Sequence, residues 1–183
     1  MKLKIFVLAA TMACSSAIAQ SKPNDDSMYL SLGYNSGQYN LGGLTGLSNA
    51  NHLVITLGKN MSENYALEGV YASGMSDSST TSPGTTVNIK LTSAYGLYVK
   101  PKAMITDAIE IFGRVGYLNL KSSFTVPAFP SFNTNNDGTS PSWGLGTSMK
   151  FTDKIYGTLD WMQMYKKDDA DIKGLGLTVG YNF

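Results

Sequence analysis

The chain is organised by alternation. In Ile109-Glu110-Ile111-Phe112-Gly113-Arg114-Val115-Gly116-Tyr117, one face carries Ile109, Ile111, Gly113, Val115 and Tyr117. The other carries Glu110, Phe112, Arg114 and Gly116. Near the C-terminus, Leu175, Leu177, Val179, Tyr181 and Phe183 share a face, with Gly174, Gly176, Thr178, Gly180 and Asn182 opposite. Successive residues of a strand point to opposite sides, so a period of two with one greasy and one polar or small face predicts strands. Six further segments follow the same rule, at 28–34, 52–59, 65–72, 87–100, 142–151 and 155–165. Most have the length of a tilted transmembrane strand, about 9–11 residues.

The links between these segments are ordered by length. Those at 59–64, 101–106 and 152–154 are short, whereas those at 37–51, 74–86 and 121–141 are long and rich in Gly, Ser, Asn and Thr. The link at 166–171 is a shorter member of the second set. Long and short links alternate, the pattern of long external loops and short periplasmic turns with both termini in the periplasm. Each short link is followed by a restarted strand: Ser62-Glu63-Asn64-Tyr65, Thr106-Asp107-Ala108-Ile109 and Thr152-Asp153-Lys154-Ile155.

Composition favours a bilayer around these strands. Charged residues are 15% of the chain, against about 25% in an ordinary soluble domain. No apolar run approaches a spanning helix; Leu53-Val54-Ile55-Thr56-Leu57 is among the longest. In lipid, backbone groups must pair internally, and only helices and closed barrels achieve that. The expected fold is all-β: an eight-stranded antiparallel up-and-down transmembrane β-barrel. A secreted soluble barrel or sandwich would carry a Lys- and Glu-rich solvent face. Here the polar face is glycine-heavy, as at Gly144, Gly146, Gly174, Gly176 and Gly180, which suits a crowded narrow lumen. Aromatics gather in two belts: Tyr34, Tyr71, Tyr117, Trp143 and Tyr165 towards the long loops, and Tyr65, Phe151, Tyr181 and Phe183 towards the turns. Membrane interfaces select such belts.

The first 19 residues read as a cleaved secretory signal. Lys2 and Lys4 form the positive start, residues 5–14 an apolar stretch, and Ala17-Ile18-Ala19 a cleavage site. Residues 20–183 then form one barrel domain. Thr11-Met12-Ala13-Cys14 offers a lipoprotein alternative, weakened by Thr11 where leucine is usual. Cys14 is the only cysteine, so the mature chain expects no disulfide. Loss of Lys2 and Lys4 reduces 14 basic residues to 12 against 13 acidic ones. With no basic tail and one arginine, Arg114, nucleic-acid binding has no support.

Leu177-Thr178-Val179-Gly180-Tyr181-Asn182-Phe183 resembles the terminal strand recognised by the outer-membrane barrel assembly machinery, with Leu177, Val179, Tyr181 and Phe183 as its signal positions. Ala66-Leu67-Glu68-Gly69, Phe112-Gly113-Arg114-Val115-Gly116-Tyr117 and Trp143-Gly144-Leu145-Gly146 resemble strands three, five and six of the small OmpA/OmpX-like bacterial outer-membrane barrels. The resemblance covers the whole mature chain and implies an integral protein of the bacterial outer membrane, in contact with its lipid and lipopolysaccharide. The peptidoglycan-binding domain of larger members has no counterpart after strand eight, so no cell-wall tether is implied.

Candidate chemistry is sparse. By face, Glu68, Lys90, Glu110, Arg114, Lys150 and Asp160 point into the lumen, because an Arg or Lys facing mid-membrane lipid would cost about 2–4 kcal/mol. Arg114 is expected at the centre of an acidic cluster, acting either as a polar plug that fixes strand register or as a constriction passing small ions. His52 is the only histidine and reads as a polar rim residue; serines such as Ser48 lie in a loop and supply no nucleophile with a base beside it. No His/Cys zinc cluster is visible. Asp168, Asp169 and Asp171 could bind calcium or repel lipopolysaccharide phosphates, but without a defined oxygen cage they read as a solvated tip. Phe124, Phe129 and Phe132, with Pro127 and Pro130, put apolar mass where a loop should be polar. They either pack over the barrel mouth or dip into the outer leaflet, or they form a contact surface for a host or surface ligand. The sequence therefore points away from an enzyme, metal or cofactor. It points to envelope structure and adhesion through external loops, with a narrow porin-like channel as the alternative.

Overall fold

The computed structural model describes residues 27–41, 47, 49–82, 85–128, 131, 134–167 and 169–183. The expected signal segment, and with it the domain boundary at residue 20, lies outside them. The described strands are β1 (Met28–Leu41), β2 (Ala50–Asn60), β3 (Tyr65–Gly74), β4 (Ser78–Ser82), β5 (Thr85–Met104), β6 (Ile109–Thr125), β7 (Thr134–Lys150), β8 (Ile155–Lys167) and β9 (Ala170–Asn182). Eight of them make the wall, in the order β3-β2-β1-β9-β8-β7-β6-β5, and antiparallel pairing of β3 with β5 closes the ring. The N- and C-terminal strands meet along β1–β9, from Tyr29 opposite Asn182 to Leu41 opposite Ala170. The fold is the closed eight-stranded antiparallel barrel that alternation predicts.

Alternation fixes what each face meets. Leu30, Leu32, Leu57, Leu67, Leu97, Val99, Ile111, Val115, Leu145, Leu159, Leu177 and Val179 are all exposed on the outer surface, an apolar band around the whole wall. Tyr34, Tyr71, Tyr95, Tyr117 and Trp143 rim it on one side, and Tyr65, Phe151, Tyr181 and Phe183 on the other. Trp161 packs edge-on against Trp143, with ring centroids 5.2 Å apart. Inside, glycine makes room for large polar rings. A Cβ on Gly58 would overlap the Tyr29 ring, and one on Gly180 the Tyr156 ring.

The strands run further than hydrophobic alternation suggests. β6 and β7 stay paired from Ile109 opposite Met149 to Phe124 opposite Thr134, so much of the expected loop at 121–141 is sheet. The expected loop at 74–86 contains β4, folded back on β5, and Pro101 lies within β5 rather than in a turn. The cause is physical: beyond the apolar band both faces can be polar, so the hydrophobic signal fades while the backbone ladder continues. At the β7–β8 seam the ladder runs from Lys150 opposite Tyr156 to Trp143 opposite Gln163. Past it, side chains make the link: Ser140 Oγ donates to the Lys166 carbonyl at 3.0 Å and accepts from its N–H at 3.0 Å.

Two register shifts correct the assignment of faces. One lies between Leu91 and Ser93 in β5. Below it Ala94, Tyr98 and Lys100 are buried; above it Ile89 and Leu91 are. An inserted residue reverses the phase of alternation, so Lys90 is exposed on the outside rather than in the lumen. The second shift, between Gln163 and Tyr165 in β8, turns Tyr165 inward, where it packs against the buried apolar cluster instead of joining the outer belt.

The outer band yields a direct test. Val99 is 46% exposed in the middle of that band, opposite Leu67 on one side and Val115 on the other, so Val99→Arg in a bilayer-embedded barrel is expected to cost about 2–4 kcal/mol. Lys90→Ala, beyond the band, is expected to change stability by less than about 0.5 kcal/mol. Urea unfolding in lipid vesicles, followed by tryptophan fluorescence, measures both.

Candidate functional site

The lumen is divided along its length by charge. In the half nearer the termini, Glu68 (β3), Lys100 and Lys102 (β5), Glu110 and Arg114 (β6) and Asp160 (β8) converge from strands far apart in sequence. Arg114 Nε lies 2.5 Å from Glu68 Oε2 and its Nη2 3.3 Å from Glu68 Oε1. Its Nη1 pairs with Asp160 Oδ2. Tyr29 donates its hydroxyl to Glu68 Oε1 at 2.6 Å. Lys100 Nζ sits 3.0 Å from Glu110 and 3.9 Å from Glu68, and Lys102 Nζ 3.5 Å from Glu110. Lys102 also donates to Asn60 Oδ1 at 2.6 Å. The Phe112 ring lies between the cations, 4.3 Å from Lys100 Nζ and 4.9 Å from Arg114 Cζ.

Three cations thus face three carboxylates in a continuous network. Glu68 is 1% exposed and Arg114 8%, so each charge depends on its partners rather than on water. Such pairs are favourable only when geometry and extra hydrogen bonds offset desolvation. The fork of Arg114 and the hydroxyl of Tyr29 supply those bonds.

Of the lumen residues expected from sequence, Glu68, Glu110, Arg114 and Asp160 come together. Lys150 does not join them: it is exposed and lines a polar cavity of about 300 Å³ at the terminal end, with Lys102, Glu110, Glu63 and Asp153. Lys90 is excluded by the β5 shift. Lys100, Lys102 and Tyr29 were missed, although Lys100 and Lys102 share the inward phase of Tyr98 and were legible from it.

The other half of the lumen is apolar. Tyr39, Ala50, Ala72, Ile89, Leu91, Ala94, Leu118, Leu120, Met162 and Ile172 form one buried cluster. His52 lies among them at 1% exposure, its Nε2 2.8 Å from Tyr39 Oη, so it is an interior residue rather than a rim residue. Its partner there is a phenol, not a serine or a carboxylate. Phe124 is half-buried and packs against this cluster, as in the expectation that these rings cover the barrel mouth; Phe129 and Phe132 lie outside the described residues. Asp168 also lies outside them, Asp169 is exposed, and Asp171 accepts from Gln163 Nε2 at 2.7 Å. Leu177, Val179, Tyr181 and Phe183 all face outward from the end of the chain.

A closed eight-stranded ring with an apolar band, two aromatic rims and a charged interior has recognisable relatives. The family model described as the outer membrane protein beta-barrel domain matches residues 6–183. The chain belongs to the outer-membrane β-barrel family. That membership makes it a protein of the bacterial outer membrane. Solved structures agree in fold. Ail, the attachment invasion locus protein of Yersinia pestis, in complex with the heparin analogue sucrose octasulfate, shares 16% identity at a TM-score of 0.63, covering 87% of this chain and 99% of its own. The N-terminal barrel domain of Pseudomonas aeruginosa OprF shares 13% at 0.61, covering 88% and 100%. Neisserial surface protein A shares 12% at 0.62, covering 85% and 97%. No curated protein matches by sequence. At these identities the structural likeness establishes the barrel, and the outer apolar band of this family member is its lipid-facing surface.

The ion network makes a quantitative expectation. Arg114→Ala leaves Glu68 and Asp160 facing each other without their shared cation, and is expected to cost about 3–5 kcal/mol. The triple variant Glu68→Gln, Arg114→Met, Asp160→Asn is expected to recover most of that loss, because no charge stays buried without a partner. Urea denaturation in detergent micelles compares the two.

Proposed function

We propose that this protein acts through envelope structure and through contacts made by the end of the barrel remote from its termini, and does not act as an open pore. The observation that carries the reading is the buried network of Arg114, Glu68 and Asp160, joined through Lys100 to Glu110. An eight-stranded ring holds little more than its own side chains, and here those side chains are tied to one another across the lumen. In this reading the network is a plug that also holds strand register.

Both termini face the periplasm, because the tight turns lie at their end of the barrel and the extended β4–β7 sheet lies at the other. Leu177, Val179, Tyr181 and Phe183 serve as the signal for the barrel assembly machinery, and the surface is bathed in lipopolysaccharide. The exposed β4–β7 extension and the loop bearing Phe129 and Phe132 are the surfaces offered to a host or surface ligand. Support for a contact role comes from Ail, a similar barrel solved with a heparin analogue. Support for a structural and contact role also comes from His52, which is held against the phenol of Tyr39 and, among the described residues, has no serine or carboxylate hydrogen-bonded to it.

A narrow channel is the second reading. It is favoured by space on both sides of the network: about 300 Å³ at the terminal end and about 60 Å³ in the apolar half. Refolded protein in a planar bilayer is expected to be silent, with folding verified by a boiling-dependent shift in gel mobility. Discrete conductance steps altered by Arg114→Ala would establish the channel instead. Phe129→Ser with Phe132→Ser is expected to weaken bacterial attachment to host-cell surfaces at unchanged barrel folding. Unchanged attachment would rule that loop out as the contact.

A further inference from the structure

Lys150 is left over from the ion network. The lumen sets Arg114, Lys100 and Lys102 against Glu68, Glu110 and Asp160, and those charges already balance. Lys150 has the inward phase of β7, opposite the buried Tyr156, yet among the described residues it takes part in no ion pair. It is exposed, and it lines the polar cavity of about 300 Å³ that Lys100 and Lys102 also line. It stands near enough to Lys102 for the two charges to repel. An ammonium has three donors. Lys102 gives one to Asn60 and one to Glu110, so it keeps an N–H for a further acceptor, and Lys150 keeps all of its own.

We propose that this cavity binds a phosphate dianion, free or as a monoester, between Lys102 and Lys150. The unused groups of both lysines are donors, so the guest is an acceptor, and contacts between an ammonium and an oxyanion are among the strong ones. Charge sets the class. Two ammoniums that repel each other favour a doubly charged guest over a singly charged one. Direction sets the shape. Lys102 rises from β5 and Lys150 from β7, with β6 between them, and a tetrahedral oxyanion offers acceptors to both sides. Size permits it: one water needs about 10–15 Å³, so a phosphoryl group and part of its hydration fit within about 300 Å³. Glu63 and Asp153 line the same cavity from two of the tight turns, and neither is ion-paired among the described residues. They work against the anion, so the site holds it loosely and neutralising one of them strengthens the hold. The cavity lies at the opposite end of the barrel from the surface offered for contacts, and its guest does not depend on that reading.

The test uses the full barrel refolded in maltoside micelles, which carry no phosphate, with 13C-labelled lysine side chains. Inorganic phosphate is titrated at about pH 8, where it is mostly the dianion and lysine stays an ammonium, against sodium chloride at equal ionic strength. The Lys102 and Lys150 resonances are expected to move together along one saturable curve. Lys166 and Lys167, exposed at the far end of β8, report screening alone and are expected to respond to phosphate and chloride alike. Lys150→Gln is expected to weaken binding about tenfold, the loss of one charge-assisted contact, whereas Lys150→Arg keeps it. Glu63→Gln is expected to tighten binding several-fold, which tests the site in a variant that retains every lysine. Methyl phosphate binding at similar strength supports the monoester as well as the free ion. The gel-mobility check establishes folding of each variant. The proposal is overturned if chloride or acetate reproduces the shifts of Lys102 and Lys150, or if those shifts do not saturate. It is also overturned if Lys150→Gln and Glu63→Gln both leave the curve unchanged.

Discussion

Inside hydrocarbon, a peptide N–H or C=O that leaves its neighbour has no water to turn to, so the backbone ladder must have no free edge. Pairing of β3 with β5 and of β1 with β9 meets that requirement, and most other features follow from it. Closure with eight strands makes the ring narrow, and narrowness dictates what the inward positions can be. They are small where a ring from across the lumen needs the space, as at Gly58 beneath Tyr29 and Gly180 beneath Tyr156. They are large and hydrogen-bonded where the space has to be filled.

The filling is uneven along the axis, and the unevenness carries the functional argument. Towards the termini the lumen holds charges in balance, with Arg114 bridging Glu68 and Asp160 while Lys100 and Lys102 share Glu110. Removing one member leaves its partners buried and alone, so the network is held together by the penalty for breaking it as much as by attraction. Away from the termini the lumen is lined by aliphatic side chains around His52 and Tyr39. A polar plug below an apolar half-lumen is a poor design for an ion path and a reasonable one for a stable barrel.

Outside the apolar band, the same strands serve a different purpose. β5, β6 and β7 extend well past the aromatic rim, so the surface presented at that end is sheet with short connections as well as loop. A sheet pays for its order through the ladder and needs no hydrophobic face, which is why a Gly-, Ser- and Asn-rich segment such as 134–140 can be strand. Phe124 illustrates the other outcome: an apolar residue in a polar stretch that packs against the buried apolar cluster.

By itself, the sequence determined the strands, their two faces and the closed ring. Alternation is a local property, and Ile109 to Tyr117 or Leu175 to Phe183 carry it within a few residues. It also determined that Glu68, Glu110, Arg114 and Asp160 face inward, since each sits within an uninterrupted run of alternation. Tertiary structure decided the rest. Whether Glu68 meets Arg114 depends on how β3, β5 and β6 are staggered, and their separation in the chain hides that. Whether Lys90 and Tyr165 face in or out depends on one inserted residue in each strand. A bulge leaves composition and hydrophobicity unchanged while reversing every side chain beyond it, so only the paired backbone reveals it.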